Sequence, residues 1–188
     1  MTIVDCHHHF WSLERGDYAW LNPADAALYR DFGPEDLQEE VDRKGVRATV
    51  LIQAAASVAE SMYLIGIAER HDFIKAVVGW IDFESASALD ELERLARSPW
   101  LRGLRPMVQD IADPNWLLRP DFAPIFEAMQ ARGLRLDGLL KHGQLPQLTE
   151  LARRYPALPI VLDHGGKPPV VKGDSGAWAM AVAALAAC

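Results

Sequence analysis

The stretch Ile3-Val4-Asp5-Cys6-His7-His8-His9-Phe10-Trp11 decides how the rest of the chain is read. An expression tag carries about six or more histidines outside the fold, whereas this triplet sits inside an apolar, β-branched pattern. Read as a strand, it has two faces. Asp5, His7 and His9 share one, and Val4, Cys6, His8 and Phe10 share the other. The second face is mostly apolar and suits a surface covered by helices, which makes Cys6 a packing residue rather than a nucleophile. The first carries a carboxylate and two imidazoles, roughly 6.5–7 Å apart along a strand, which can grip a metal or a carbonyl oxygen together. A buried structural histidine cluster is the alternative. The two readings separate on whether other strands end in matching groups.

Working outward, further short apolar runs occupy residues 48–53, 75–82, 102–107, 134–140 and 159–164, so six strands are expected. Helical punctuation lies between them. Gly33-Pro34 opens an acidic-to-basic segment that Gly45 closes. Ser57 to Glu60 reads as a capping box, followed by Met62, Ile65 and Ala68 at helical spacing. Leu89, Leu92, Leu95 and Ala96 form an apolar stripe, as do Phe122, Ile125, Phe126 and Met129. A fifth helix carries Leu148, Leu151 and Ala152, and a sixth begins after Ser175-Gly176 and runs to Cys188.

The strand-end markers His9, Gln53, Trp80, Arg105, Asp137 and His164 are 44, 27, 25, 32 and 27 residues apart. That is the rhythm of strand-plus-helix units of roughly 30 residues. The first interval is stretched by an aromatic-rich connection, residues 11–33, long enough to suggest a functional cover. Strict alternation implies a parallel sheet, and no glycine-rich phosphate loop follows the first strand. The expected class is therefore α/β, a (β/α)8 TIM-barrel type with about six of the eight βα units present, in one domain over residues 1–188 that is C-terminally incomplete.

A chain that is 50% hydrophobic and 24% charged is a globular protein, not a disordered one. Its net charge of −7 opposes a footprint for nucleic acid or anionic membrane, leaving a small-molecule substrate as the expected partner. Only Cys6 and Cys188 occur, which is no disulfide framework. With no secretory leader or membrane span, a cytoplasmic location is expected.

Other strands do end in matching groups. His164 stands at the tip of the sixth, followed by Gly165-Gly166 and Lys167. Arg105 ends the fourth, where it is either a fixed cation for an oxygen-rich substrate or one half of a salt bridge with an acidic neighbour. Gln53, Trp80 and Asp137 also end strands. Asp163 is suited to orienting a histidine or bonding backbone, and on strand parity it faces away from His164.

The segments D-C-H-H-H-F-W, R-G-L-R-P-M and L-D-H-G-G-K-P, in this order, resemble the amidohydrolase superfamily in its amidohydrolase 2 branch. Within it they are most similar to sugar-lactone and pyrone-dicarboxylate lactonases of the L-fuconolactone hydrolase kind. The resemblance implies a distorted barrel that opens cyclic esters with water. It implies that His7, His9 and His164 surround the scissile carbonyl or a divalent metal, and that Arg105 and Lys167 bind substrate. It also implies a base aspartate within a G-S-D-W-P-like segment on an eighth strand, and this sequence has none. Metal-dependent relatives commonly add a histidine or modified lysine on strand four, where Arg105 stands here. The expected cofactor is accordingly none, or one divalent metal such as zinc held by His7, His9 and His164. A metal-dependent amidohydrolase or decarboxylase, and a non-catalytic chain stabilised as a homo-oligomer, are the competing readings.

Overall fold

The computed structural model describes residues 2–172 and 175–188. In chain order the elements are β1 (Ile3–His8), α1 (Pro34–Lys44), β2 (Val46–Ile52), α2 (Val58–Ala68), β3 (Ile74–Gly79), α3 (Ala88–Leu95), β4 (Leu101–Leu104), α4 (Ala123–Ala131), β5 (Arg135–Gly138), α5 (Leu145–Arg154), β6 (Ile160–Leu162) and α6 (Gly176–Ala186). Six βα units are present among the described residues, as the spacing predicts. The chain forms two compact units, one running to Asp82 with Leu95–Arg102 added, the other containing Phe83–Arg94 and Gly103 to Cys188. No helix among the described residues is long and apolar enough to cross a membrane.

In the first unit β1 pairs with β2 and β2 with β3, both parallel. The buried ends of these strands, Leu51, Ile52, Val77 and Val78, are the continuous apolar runs of a sheet covered on both sides. Gly45 ends α1 in the left-handed conformation, φ 63°, which a glycine adopts without the Cβ clash of other residues. The outward face of β1 departs from expectation. Val4 is 52% exposed and Cys6 is exposed too, so Cys6 does not pack under helices. Met62 and Leu89 also point outward, and the buried face of α2 is Leu64, Ile65, Ile67 and Ala68.

The capping box at the start of α2 forms only in half. Ser57 accepts the Glu60 N–H at 3.0 Å, but the Glu60 carboxylate turns into the interior. There it accepts the Ala54 N–H at 2.9 Å and the Ala55 N–H at 2.7 Å. The reason is local: Ala54-Ala55-Ala56 has no side chain to satisfy its own turn amides, and buried amides need partners. On this turn rests the aromatic connection of residues 11–33. Trp11 and Tyr18 pack with Ala54 and Ala55, Trp20 donates its indole N–H to Ala54 O at 2.9 Å, and Ser57 donates to Asp17 at 2.9 Å. An antiparallel bridge between Trp11 and Phe32 closes the loop.

Burial pushes the Glu60 carboxyl up to about 7, against the pull of its two backbone donors. Between its ordinary value near 4.5 and 7 the folded state holds a proton that the unfolded state has lost. Stability therefore falls as pH rises through that window, by about 3 kcal/mol in total. Chemical denaturation at pH 4.5 and pH 7.5 should show this fall in the wild type and a smaller one in Glu60→Gln. An identical pH dependence in the two proteins would place the carboxyl's titration elsewhere.

In the second unit β4 pairs with β5 and β5 with β6, again parallel. Gly103 is needed for the first pairing, because a Cβ there would lie 2.8 Å from Arg135 O. The core is aromatic: Phe83, Trp116, Phe122 and Phe126 pack with centroid separations of 4.6–5.8 Å. Ile125 and Met129 complete the α4 stripe, all of it buried as its period predicts. The last helix, α6, ends at Ala186 rather than running to Cys188.

Candidate active site

In the first unit, the strand reading of the opening histidines holds where it matters. β1 ends at His8, and His7 and His9 come together with their Nε2 atoms 3.1 Å apart and their rings perpendicular. His9 donates its Nδ1–H to Ile52 O at 2.8 Å. A carbonyl there fixes the tautomer and leaves the neutral ring's Nε2 lone pair facing His7. His8 turns the other way and bonds Thr49 Oγ1 at 2.9 Å. Burial pushes its pKa down to about 4, so it is a neutral structural imidazole at ordinary pH. Gln53, fully buried, continues β2 by donating its backbone N–H to Val78 O at 2.9 Å. Trp80 leaves β3 with its backbone N–H on Ser61 Oγ at 2.7 Å.

The Nε2 pair fits a divalent metal. Two imidazole ligands about 2.0–2.1 Å from a tetrahedral zinc lie roughly 3.3 Å apart, close to the separation seen, and the backbone carbonyl behind His9 is the usual outer-shell partner.

In the second unit, Arg105 is only 3% exposed and its Nη1 donates to Asp163 Oδ2 at 2.9 Å. Of the two expectations for Arg105, the salt bridge is present, with Asp163 as the acidic partner. Asp137, at the end of β5, is 4% exposed. His164 is half exposed, with Nε2 3.6 Å from Asp163 Oδ1, so strand parity does not separate these two side chains. The cause is the backbone. β6 ends at Leu162, and His164, Gly165, Gly166 and Lys167 follow with φ of 50°, 60°, 69° and 51°. Four successive left-handed residues form one turn of the wrong hand, at roughly 1–2 kcal/mol for each of the two that carry a Cβ. Strain of this kind survives where the surroundings impose it, and it concentrates at functional sites.

The surroundings do impose it. Lys167 Nζ donates to Gln109 Oε1, and His142 donates its Nδ1–H to Lys167 O at 3.2 Å. The Trp178 indole N–H donates to Gly165 O at 2.6 Å. None of Gln109, His142 and Trp178 stands out in the sequence as a site residue. The one available signal is that each is a polar-tipped side chain within a few residues of a strand end or helix start in this unit.

The sequence profile of the Amidohydrolase family matches residues 4–188. An L-fucono-1,5-lactonase of Burkholderia ambifaria is 44% identical over 98% of this chain and 63% of its own. A second L-fucono-1,5-lactonase, from Burkholderia multivorans, is 32% identical over 95% of this chain and 60% of its own. The chain thus spans about three fifths of the length of these curated relatives. A crystal structure of an amidohydrolase from Burkholderia multivorans with bound zinc superposes with a TM-score of 0.89 at 33% identity, covering 100% of this chain and 66% of that one. The six βα units are accordingly those of a TIM-barrel-type fold. Profile, relatives and fold agree, and this chain belongs to the amidohydrolase family.

Proposed function

We propose that this chain carries the first part of the active site of a lactonase, an enzyme that opens a sugar-acid lactone such as L-fucono-1,5-lactone with water. The observation that carries the reading is the His7–His9 pair, two imidazoles aimed at one point with the tautomer of one fixed from behind. The names of the relatives supply the substrate class.

In the reaction, water adds to the ring carbonyl, the C–O bond to the ring oxygen breaks, and that oxygen takes a proton to give the open hydroxy acid. An imidazole N–H serves the oxygen on which negative charge develops, the role given to His164, whereas the Nε2 lone pair of His9 serves it through a bound cation. Each well-placed interaction of this kind lowers the barrier by about 3 kcal/mol. A divalent metal held by the Nε2 atoms of His7 and His9 would polarise the carbonyl as a Lewis acid and lower the pKa of water. Arg105, a cation fixed by Asp163, and Lys167, fixed by Gln109, bind the oxygen-rich substituents of the substrate.

The test is hydrolysis of L-fucono-1,5-lactone and other aldonolactones, followed by acid release, by this chain extended to the full length of its lactonase relatives. Catalysed opening that is lost in His164→Ala supports the assignment, and opening unchanged in that variant overturns it. Chelation decides the metal. Activity lost with a chelator and restored by zinc assigns the ion to the histidines, while activity that survives exhaustive chelation assigns the carbonyl to the imidazoles alone.

A further inference from the structure

The turn from His164 to Lys167 is fastened at more points than its length requires. Asp163, just before it, is held by Arg105. Gly165 is held through its carbonyl by Trp178 of α6, and Lys167 through its carbonyl by His142 and through its ammonium by Gln109. Gln109 is itself pinned, since its backbone N–H donates to Leu139 O at 3.0 Å. The turn also packs closely on α5, since a Cβ at Gly166 would meet the Leu145 side chain at 3.1 Å.

These fastenings divide by what they hold. Trp178 grips the carbonyl of the residue next to His164. Gln109 grips the ammonium itself. A surface turn needs no such anchoring, and glycine alone would adopt this backbone without help. Here two of the four residues carry functional side chains and are held in an unfavourable conformation. That is the pattern of preorganisation, in which a side chain is placed before the substrate arrives.

We propose that Trp178 and Gln109 are positioning residues for the lactonase reaction, Trp178 setting the place of the His164 imidazole and Gln109 that of the Lys167 ammonium. The proposal rests on the functional reading above. It assigns them separate kinetic signatures. His164 acts on charge that develops during ring opening, so loosening it lowers kcat. Lys167 acts on bound substrate, so loosening it raises KM.

The experiment compares Trp178→Phe, Gln109→Leu and Gln109→Glu with wild type and His164→Ala. Trp178→Phe keeps the ring and removes the donor, and should lower kcat about tenfold with KM within about twofold, the effect of losing one hydrogen bond. Gln109→Leu should raise KM about tenfold with kcat little changed, and Gln109→Glu, which keeps an acceptor for the ammonium, should restore KM. Amide hydrogen exchange across 164–167 provides a readout independent of activity, with protection expected to fall in Trp178→Phe. An active wild type whose Trp178→Phe and Gln109→Leu variants match it in kcat, KM and exchange overturns the inference and leaves the functional reading intact. Equal changes in kcat and KM in both variants, accompanied by a common loss of thermal stability, also overturn it. If wild type opens no lactone, the functional reading fails and the kinetic roles fail with it; unchanged exchange in Trp178→Phe then overturns the fastening as well.

Discussion

His9→Ala is expected to lower kcat for lactone opening by about 10² to 10³-fold, the range for removing one group that serves a developing oxyanion. The alternative cause of such a loss, a damaged fold, is separated by magnitude. The substitution removes the hydrogen bond to Ile52 O and the contact with His7 from a partly buried ring, about 1–2 kcal/mol of stability. A hundredfold loss of rate corresponds to about 2.7 kcal/mol of barrier. Urea denaturation and steady-state kinetics on the same preparation therefore distinguish the two. Because the two Nε2 atoms lie 3.1 Å apart and are aimed at one point, His7→Ala and the double variant should lose little more than His9→Ala alone. A double variant whose loss is the product of the single losses would mean that the two rings work independently.

The second large effect is on stability. Arg105 and Asp163 form an ion pair with side chains only 4% exposed. Asp163→Ala leaves a guanidinium buried without its carboxylate and should cost about 3–5 kcal/mol. Arg105→Met combined with Asp163→Leu removes both charges and should return stability close to wild type. The pair of measurements also decides the role of Arg105. If the guanidinium binds substrate, the double variant folds like wild type and still fails to open lactones. If it only holds β6 against β4, activity returns with stability.

How much of this was legible in the sequence follows from the kind of signal each feature leaves. Parallel strands covered on both faces leave short apolar runs, so all six units were visible, and the cap at Gly45 and the buried stripe on α4 follow from helical period alone. The His7–His9 pair was visible because alternation holds along an extended strand. The same rule misplaced Asp163 relative to His164, because alternation stops at Leu162 and four left-handed residues begin, and only Gly165 and Gly166 hinted at that. The cover predicted for the outer side of β1 is a tertiary matter, and Val4 and Cys6 are exposed in the structure. Glu60 was hidden by a stronger local pattern. A serine followed three residues later by glutamate reads as a capping box, and nothing local says that the carboxylate is needed more by the bare alanine turn before it.

The order of strand pairing bears on how such a chain is made. Within each unit every strand bonds to the strand that follows it in sequence, β1 to β2 to β3 and β4 to β5 to β6. A ribosome adds roughly 5–20 residues per second, so a newly emerged strand waits only seconds for the partner that satisfies its edge. Assembly can proceed from the N-terminus in step with translation, and no strand of either unit is left waiting for one far downstream in that unit.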